Sequence, residues 1–229
     1  EVLCICDNIF PHERIFFDKK FIKYFFSKID RFLVMSTDSE NKLKGIVDNE
    51  QKIIKSFLPL KFSYNKISKS IALEKLNLKK SKIILLFFGF IREYKGLELL
   101  LKSLIGMIDF DIQLIIAGQC ISNKGKYEKI IDKNKLNNNV IWYDEYIPDT
   151  EVPIYFSACD VVVLPHTSIS QSGIIPLAYK FNKLIIASNL LSFKENIING
   201  KTGYLFDNNN YLSLQKTIKY VYDNYDCNT

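Results

Sequence analysis

This chain of 229 residues has only two histidines, and its five cysteines are scattered. Cys4, Cys6, Cys120, Cys159 and Cys227 form no Cys-x-x-Cys pairing, which argues against a zinc site or a disulfide framework and makes the reducing cytoplasm the natural compartment. No apolar run reaches the roughly 18 residues of a membrane span, and no secretory signal is expected. A Gly-x-Ser-x-Gly elbow and paired aspartates are also missing, so nothing supports an α/β hydrolase or phosphatase-like domain. Internal repeats and low-complexity tracts are lacking. Basic residues make no long block: the net charge of +6 suits anionic ligands such as nucleotides, or an acidic membrane surface, and gives no argument for nucleic acid. The first residue is Glu1, not methionine, inside an apolar run, so a fragment of a longer protein is expected.

What is present begins with a short buried strand, Val2 to Cys6, then a loop with Asp7, Asn8, Pro11, His12 and Glu13. Phe16 to Ile29 mixes phenylalanines with lysines, as an amphipathic helix would; its apolar stripe reads as core, with a membrane-facing role as the alternative. Arg31 to Ser36 is a second strand, and Thr37-Asp38-Ser39-Glu40 supplies capping chemistry for a helix through Ile46. This βαβα piece is too short to close a sheet. A boundary is placed after it, giving a partial N-terminal fragment over 1–47 and a second domain over 48–229. Within 48–66 only Ile53 to Leu58 is regular, and Ile67 to Leu76 has helical spacing.

From Lys82 the pattern alternates. Strands are expected at Ile83 to Phe88, Ile112 to Ala117, Val140 to Tyr143, Val161 to Leu164 and Leu184 to Ala187. Helices are expected at Gly96 to Ile108, Lys126 to Leu136, Glu151 to Ser157 and Ile174 to Lys180. Continuously apolar strands between helices predict an α/β fold with a Rossmann-like, doubly wound parallel sheet, whose ligands sit at the carboxyl ends of the strands.

The loops at that edge therefore draw attention. Gly89 permits close backbone approach, and Arg92 and Lys95 stand three apart before a helix start, where two cations and free amides suit a diphosphate. Gly118 follows the next strand, and Asp144 to Asp149 holds Tyr146 and Ile147, a loop able to meet a nucleobase or merely to turn. His166 reads as a structural residue. Ser170-Gln171-Ser172-Gly173-Ile174 enters the helix after the fourth strand, a βα junction whose amides can hold phosphate or sugar hydroxyls.

The segments Phe88 to Leu97, Leu114 to Gly118, Tyr146 to Pro148, Tyr155 to Pro165, Ser170 to Tyr179, Glu195 and Asn199 to Phe206 resemble, in order, the C-terminal half of a GT-B-fold retaining glycosyltransferase of group 1. Asp7 to Glu13 and Phe32 to Ser36 resemble the last part of that family's N-terminal, acceptor-side domain. The resemblance implies transfer of a sugar from a nucleotide diphosphate sugar to a hydroxyl of a saccharide or lipid-linked acceptor, with retention and without metal or other cofactor. It implies surface polysaccharide or glycolipid synthesis at a cytoplasmic site, with peripheral membrane contact through the N-terminal domain. Arg92 and Lys95 take the catalytic role of binding the diphosphate and neutralising its departing charge. The resemblance implies that Tyr146 and Ile147 meet the nucleobase and that Gly173 and Ile174 hold the sugar and phosphates; Gly89, Gly118, Ser170, Gln171 and Ser172, at the same edge, are expected to line the donor with them. The chain departs from the family where Ser170 and Ala178 replace a glutamate pair, and where Asp7 stands in place of a frequent histidine. A non-catalytic nucleotide-sugar-binding or scaffolding domain is the alternative.

Overall fold

The computed structural model describes residues 1–6, 9, 18–56 and 64–225. The expected loop residues Asp7, Asn8 and Pro11 to Glu13, the helix start at Phe16, the C-terminal end of the run Ile53 to Leu58, and Cys227 lie outside them.

Two parallel sheets carry the molecule. The first has the order β1 (Leu3–Cys6), β2 (Arg31–Val34), β3 (Ile53–Lys55), with Leu3 opposite Arg31 and Phe32 opposite Ile53. The strand Ile53–Lys55 lies past residue 47, where the sequence reading divides the chain, yet it pairs with β2. Three residues are too few for a periodicity to declare the pairing. Helix α1 (Asp18–Ser27) packs Ile22 and Phe26 onto Phe32, with the two phenyl rings 5.1 Å apart at 70°. Its other face leaves Phe21, Tyr24 and Phe25 exposed. Helix α2 (Thr37–Lys44) begins near its expected place, but the cap is Ser36, whose Oγ accepts from the Ser39 amide at 3.1 Å; Thr37 is already the first helical residue, and the helix ends at Lys44, short of Ile46.

The second sheet has the order β6-β5-β4-β7-β8-β9, every neighbouring pair parallel. Its strands are β4 (Ile83–Phe88), β5 (Ile112–Ala117), β6 (Val140–Tyr143), β7 (Val161–Leu164), β8 (Leu184–Ser188) and β9 (Tyr204–Phe206). Side chains alternate across it. Ile83, Leu85 and Phe87 meet α4 (Leu97–Leu104), α5 (Lys124–Lys133) and α9 (Tyr211–Asn224) on one face. Ile84 and Leu86 meet α3 (Lys69–Lys75), α6 (Val152–Ala158), α7 (Ile174–Lys180) and α8 (Leu191–Lys194) on the other. Burial on both faces is why these strands are apolar throughout, each large side chain contributing about 1.5–3 kcal/mol. This is the doubly wound, Rossmann-like sheet expected from the sequence. The chain winds outward from β4 to β6, then crosses back to β7, so the switch point opens between the carboxyl ends of β4 and β7.

Helix ends differ from expectation by a few residues. The expected helix over Gly96 to Ile108 is α-helical only to Leu104, then tightens into a 3₁₀ turn at Ile105–Met107. Strand β9 and helices α8 and α9 have no counterpart in the sequence reading. The apolar spacing of Leu214, Ile218 and Val221 and the Asn210 cap nonetheless mark α9.

The amino edge of this sheet is tied by Asp160. Its Oδ1 accepts from Lys69 Nζ at 2.6 Å and from the Tyr225 hydroxyl at 2.8 Å, and its Oδ2 from the Ile84 amide at 2.9 Å. The residue is buried, and it links α3, β4 and the end of α9. Asp160→Asn removes the charge that balances Lys69 and one acceptor; the expected cost is about 2 kcal/mol, read as a lower urea midpoint with an unchanged slope.

Candidate functional site

At the switch point the backbone forms a glycine shelf. The Gly89 amide donates to Ala117 O at 2.9 Å and the Gly118 amide to Tyr143 O at 3.0 Å, so the parallel ladder runs one residue past β4 and β5. Gly118 has φ +147, and a Cβ there would lie 2.3 Å from Gly89 O. No side chain fits between the two strand ends, and a ligand can meet bare backbone. The loops beyond are joined, Ile91 N–H donating to Gln119 O at 2.9 Å and Ile121 N–H to Ile91 O at 3.2 Å.

Lys95 reaches back over this shelf from the 3₁₀ turn Glu93–Lys95, so that a Cβ on Gly89 would stand 2.9 Å from its Nζ. Burial first, and the Arg92 charge second, push the Lys95 ammonium down to about 8. Arg92 is itself exposed at the start of the turn. Among the described residues no carboxylate lies within ion-pair distance of Lys95. The nearby Glu98 is engaged elsewhere: it accepts from Lys102 at 2.7 Å and Lys126 at 2.6 Å, and these lysines hold its carboxyl below the usual range. A half-buried cation beside another cation and a helix start is chemically suited to an anion.

Tyr146 is 61% exposed and faces Phe90, 42% exposed, with ring centroids 6.0 Å apart. Phe90 escapes sequence reasoning, because an aromatic residue after a buried strand reads as core. Ile147 is buried in the core beneath, leaving its backbone as the part able to meet a ligand.

The opposite wall is fastened to the Lys95 turn. Gly96, at φ +74, lies so close to the end of β7 that a Cβ would sit 1.9 Å from Pro165 O. Thr167 N–H donates to Tyr94 O at 2.8 Å. His166 is buried between the rings of Tyr94 and Phe193, at 6.1 and 5.4 Å, and its carbonyl accepts from Ser188 Oγ at 2.6 Å. Of the polar run that follows, Ser170 is buried, Gln171 and Ser172 are half-buried, and Gly173 is exposed. Gly173 has φ −67 and ψ −10, a backbone open to any residue, so what it offers is the absence of a side chain. The Ile174 amide at the start of α7 is partly taken by Ser172 Oγ at 3.3 Å. Ala178 is wholly buried.

Gln171 and Ser172 also look across to the first sheet. With Tyr179 and Glu195 they line a cleft of about 410 Å³ whose far side is Met35, Lys55 and Ser56. Lys55 and this face of Glu195 carry no local sequence signal, since they matter only once the two sheets are placed together. Among the described residues, no three histidine, cysteine, aspartate or glutamate side chains gather as a metal-binding group.

No curated protein matches the chain. Solved structures do, at the level of fold. Anabaena Alr3699/HepE in complex with UDP and glucose aligns with TM-score 0.81 and 15% identity over 97% of this chain and 62% of its own. Sucrose-phosphate synthase (tll1590) from Thermosynechococcus elongatus aligns with TM-score 0.78 and 18% identity over 97% of this chain and 58% of its own. S. aureus TarM aligns with TM-score 0.75 and 18% identity over 97% and 43%. This chain therefore spans at most 62% of the length of these three relatives. The α/β architecture with its Rossmann-like sheet is that of the C-terminal domain of GT-B glycosyltransferases. The family model described as glycosyl transferases group 1 matches residues 68–228, the whole of the second sheet and its helices, and the chain belongs to that family.

Proposed function

We propose that this chain is the donor-binding part of a retaining glycosyltransferase, moving a sugar from a nucleotide diphosphate sugar to a hydroxyl acceptor. The observation that carries the reading is Lys95, a half-buried ammonium over the Gly89 shelf with no carboxylate partner among the described residues. The donor diphosphate fits there, between Lys95, Arg92 and the start of α4. As the anomeric carbon exchanges its bond to a diphosphate oxygen for one to the acceptor oxygen on the same face, negative charge grows on the leaving group, and its departing oxygen takes up the proton that the acceptor hydroxyl gives up. Fixed cations beside that charge lower the barrier without a metal. The sugar lies toward Gln171, Ser172 and Gly173, and the base toward Tyr146 and Phe90. The acceptor, saccharide or lipid-linked, enters from the first sheet.

The setting fits surface polysaccharide or glycolipid assembly in the cytoplasm. No helix in the described residues is long and apolar enough to cross a membrane. The exposed Phe21, Tyr24 and Phe25 of α1 offer a peripheral contact with the inner face of a membrane. One observation favours a non-catalytic nucleotide-sugar binder instead: Ser170 and Ala178, at the family's glutamate positions, are buried and bring no carboxylate to a sugar.

Stacking on the aromatic pair gives a direct test. Tyr146→Ala and Phe90→Ala are each expected to weaken binding of the preferred nucleotide about 2- to 10-fold by calorimetry, without lowering the urea midpoint. Unchanged affinity in both variants would remove the base from this surface.

A further inference from the structure

Glu195 joins the two sheets. It closes α8, and its side chain, 20% exposed, reaches the amino end of α2. Both carboxylate oxygens accept from the Thr37 amide, at 2.9 and 3.0 Å, and Oε2 lies 3.3 Å from Lys55 Nζ. Lys55 in turn donates to Thr37 Oγ1. Thr37 is the first residue of α2, whose side-chain cap at Ser36 serves the Ser39 amide, so the Thr37 amide is left for a partner outside the helix. A carboxylate at that place meets an oriented dipole, a free donor and a cation together. Asp38 and Glu40 in the first turn are held by Lys42 and Lys44, which offsets their repulsion of a third carboxylate.

The location gives the contact a consequence. Two of the residues that close it, Glu195 and Lys55, line the cleft together with Ser172; on the proposed reading the sugar on one sheet meets the hydroxyl on the other there. We infer that Glu195 is a positioning residue: its carboxylate, clasped on the Thr37 amide and Lys55, fixes the distance between the acceptor side and the donor side of the cleft. It touches neither the diphosphate shelf nor Lys95, so it acts on the meeting of the substrates and not on the capture of the donor. This inference rests on the glycosyl-transfer reading, while the clasp itself is tested without it.

Glu195→Ala removes the acceptor. Thr37→Pro removes the donor and spares the helix, because proline is favoured at the first helical position and Ser36, at φ −152 and ψ 153, already has the extended backbone that a following proline demands. In full-length protein each substitution is expected to lower kcat about 10- to 100-fold, as a small misplacement of reacting groups does, and to change nucleotide affinity less than about twofold. The double variant is no worse than either single one, since the two remove one contact. Amide hydrogen exchange reads the contact itself: the Thr37 amide is protected in the unaltered protein and loses protection in Glu195→Ala, while the rest of α2 keeps it. Retained protection at Thr37 in Glu195→Ala overturns the inference whatever the kinetics. Equal loss of nucleotide affinity and kcat, or an unaltered kcat in both single variants, overturns the positioning role. If no transfer is found even in the unaltered protein, the exchange result still decides the clasp, and the failure falls on the glycosyl-transfer reading.

Discussion

Lys95→Ala lowers sugar transfer about 10²- to 10³-fold, the loss expected when one preorganised donor to a developing anion is removed. The same substitution is not expected to destabilise the fold. Burial and Arg92 push the ammonium down to about 8 from its ordinary 10.5, so the folded protein holds this charge less readily than the unfolded chain does. Between about pH 8 and 10.5 the unfolded state binds the extra proton, and stability attributable to Lys95 rises with pH across that window. At neutral pH the charged form opposes folding, and Lys95→Met relieves that cost while abolishing the anion contact. A bound diphosphate reverses the balance by favouring the ammonium. Nucleotide affinity should therefore fall as pH rises through about 8, and this dependence should vanish in Lys95→Met. Calorimetric titrations across pH 7 to about 9.5 check this, since a nucleotide phosphate that ionises near pH 6 is already about nine-tenths ionised at pH 7 and changes little above it.

Gly96→Ala is the substitution expected to damage the fold most. At φ +74 an alanine costs about 1–2 kcal/mol for its left-handed backbone alone. Its Cβ would also stand 1.9 Å from Pro165 O, a backbone atom that cannot swing aside. Separating α4 from the end of β7 adds overpacking strain of about 1–3 kcal/mol. The sum, about 2–5 kcal/mol, is a large share of the net stability of an ordinary domain. It falls on the hydrogen bond that ties Tyr94 to Thr167 and so on both walls of the site. Urea denaturation should show a markedly lower midpoint, and what remains folded at low denaturant should bind nucleotide poorly. A midpoint equal to that of the unaltered protein would mean that the β4 and β7 loops do not pack as described.

The second sheet was legible because burial on both faces writes itself into sequence as unbroken apolar runs, and Ile83 to Phe88 or Val161 to Leu164 can hardly be anything else. The loop residues Gly89, Arg92, Lys95 and Gly118 were legible by position: once the strands are parallel, the residues after each must share one edge. Residues whose role depends on packing were hidden. Whether Ser170 is buried and Ser172 half-buried is settled by the path of the loop, which residue types do not state. Phe90 looks like one more core phenylalanine until Tyr146 is placed beside it. Ile53–Lys55 is too short to announce a strand and gains its identity from Phe32 and Val34 alongside. Glu195 stands 158 positions from Thr37, a separation across which no local pattern reports contact.

The same distinction separates the diphosphate shelf from the cleft. Gly89, Gly118 and Lys95 all follow strands of the second sheet, within the span that matches the family, and they pack against one another there. The cleft with Lys55 and Met35 depends on the first sheet, which lies outside the span that the family model matches. Effects on donor capture should accordingly follow Lys95 and Arg92, and effects on transfer alone should follow Glu195.

The measurement that tests the central claim most directly is calorimetric titration of UDP, GDP, ADP and their sugars into the protein and its Arg92→Ala/Lys95→Ala variant. One nucleotide should bind with a stoichiometry of one, and the variant should bind it about 100-fold or more weakly, as the loss of charge-assisted contacts to a diphosphate requires. Binding of equal strength to the variant, or no binding of any nucleotide to the unaltered protein, would contradict it.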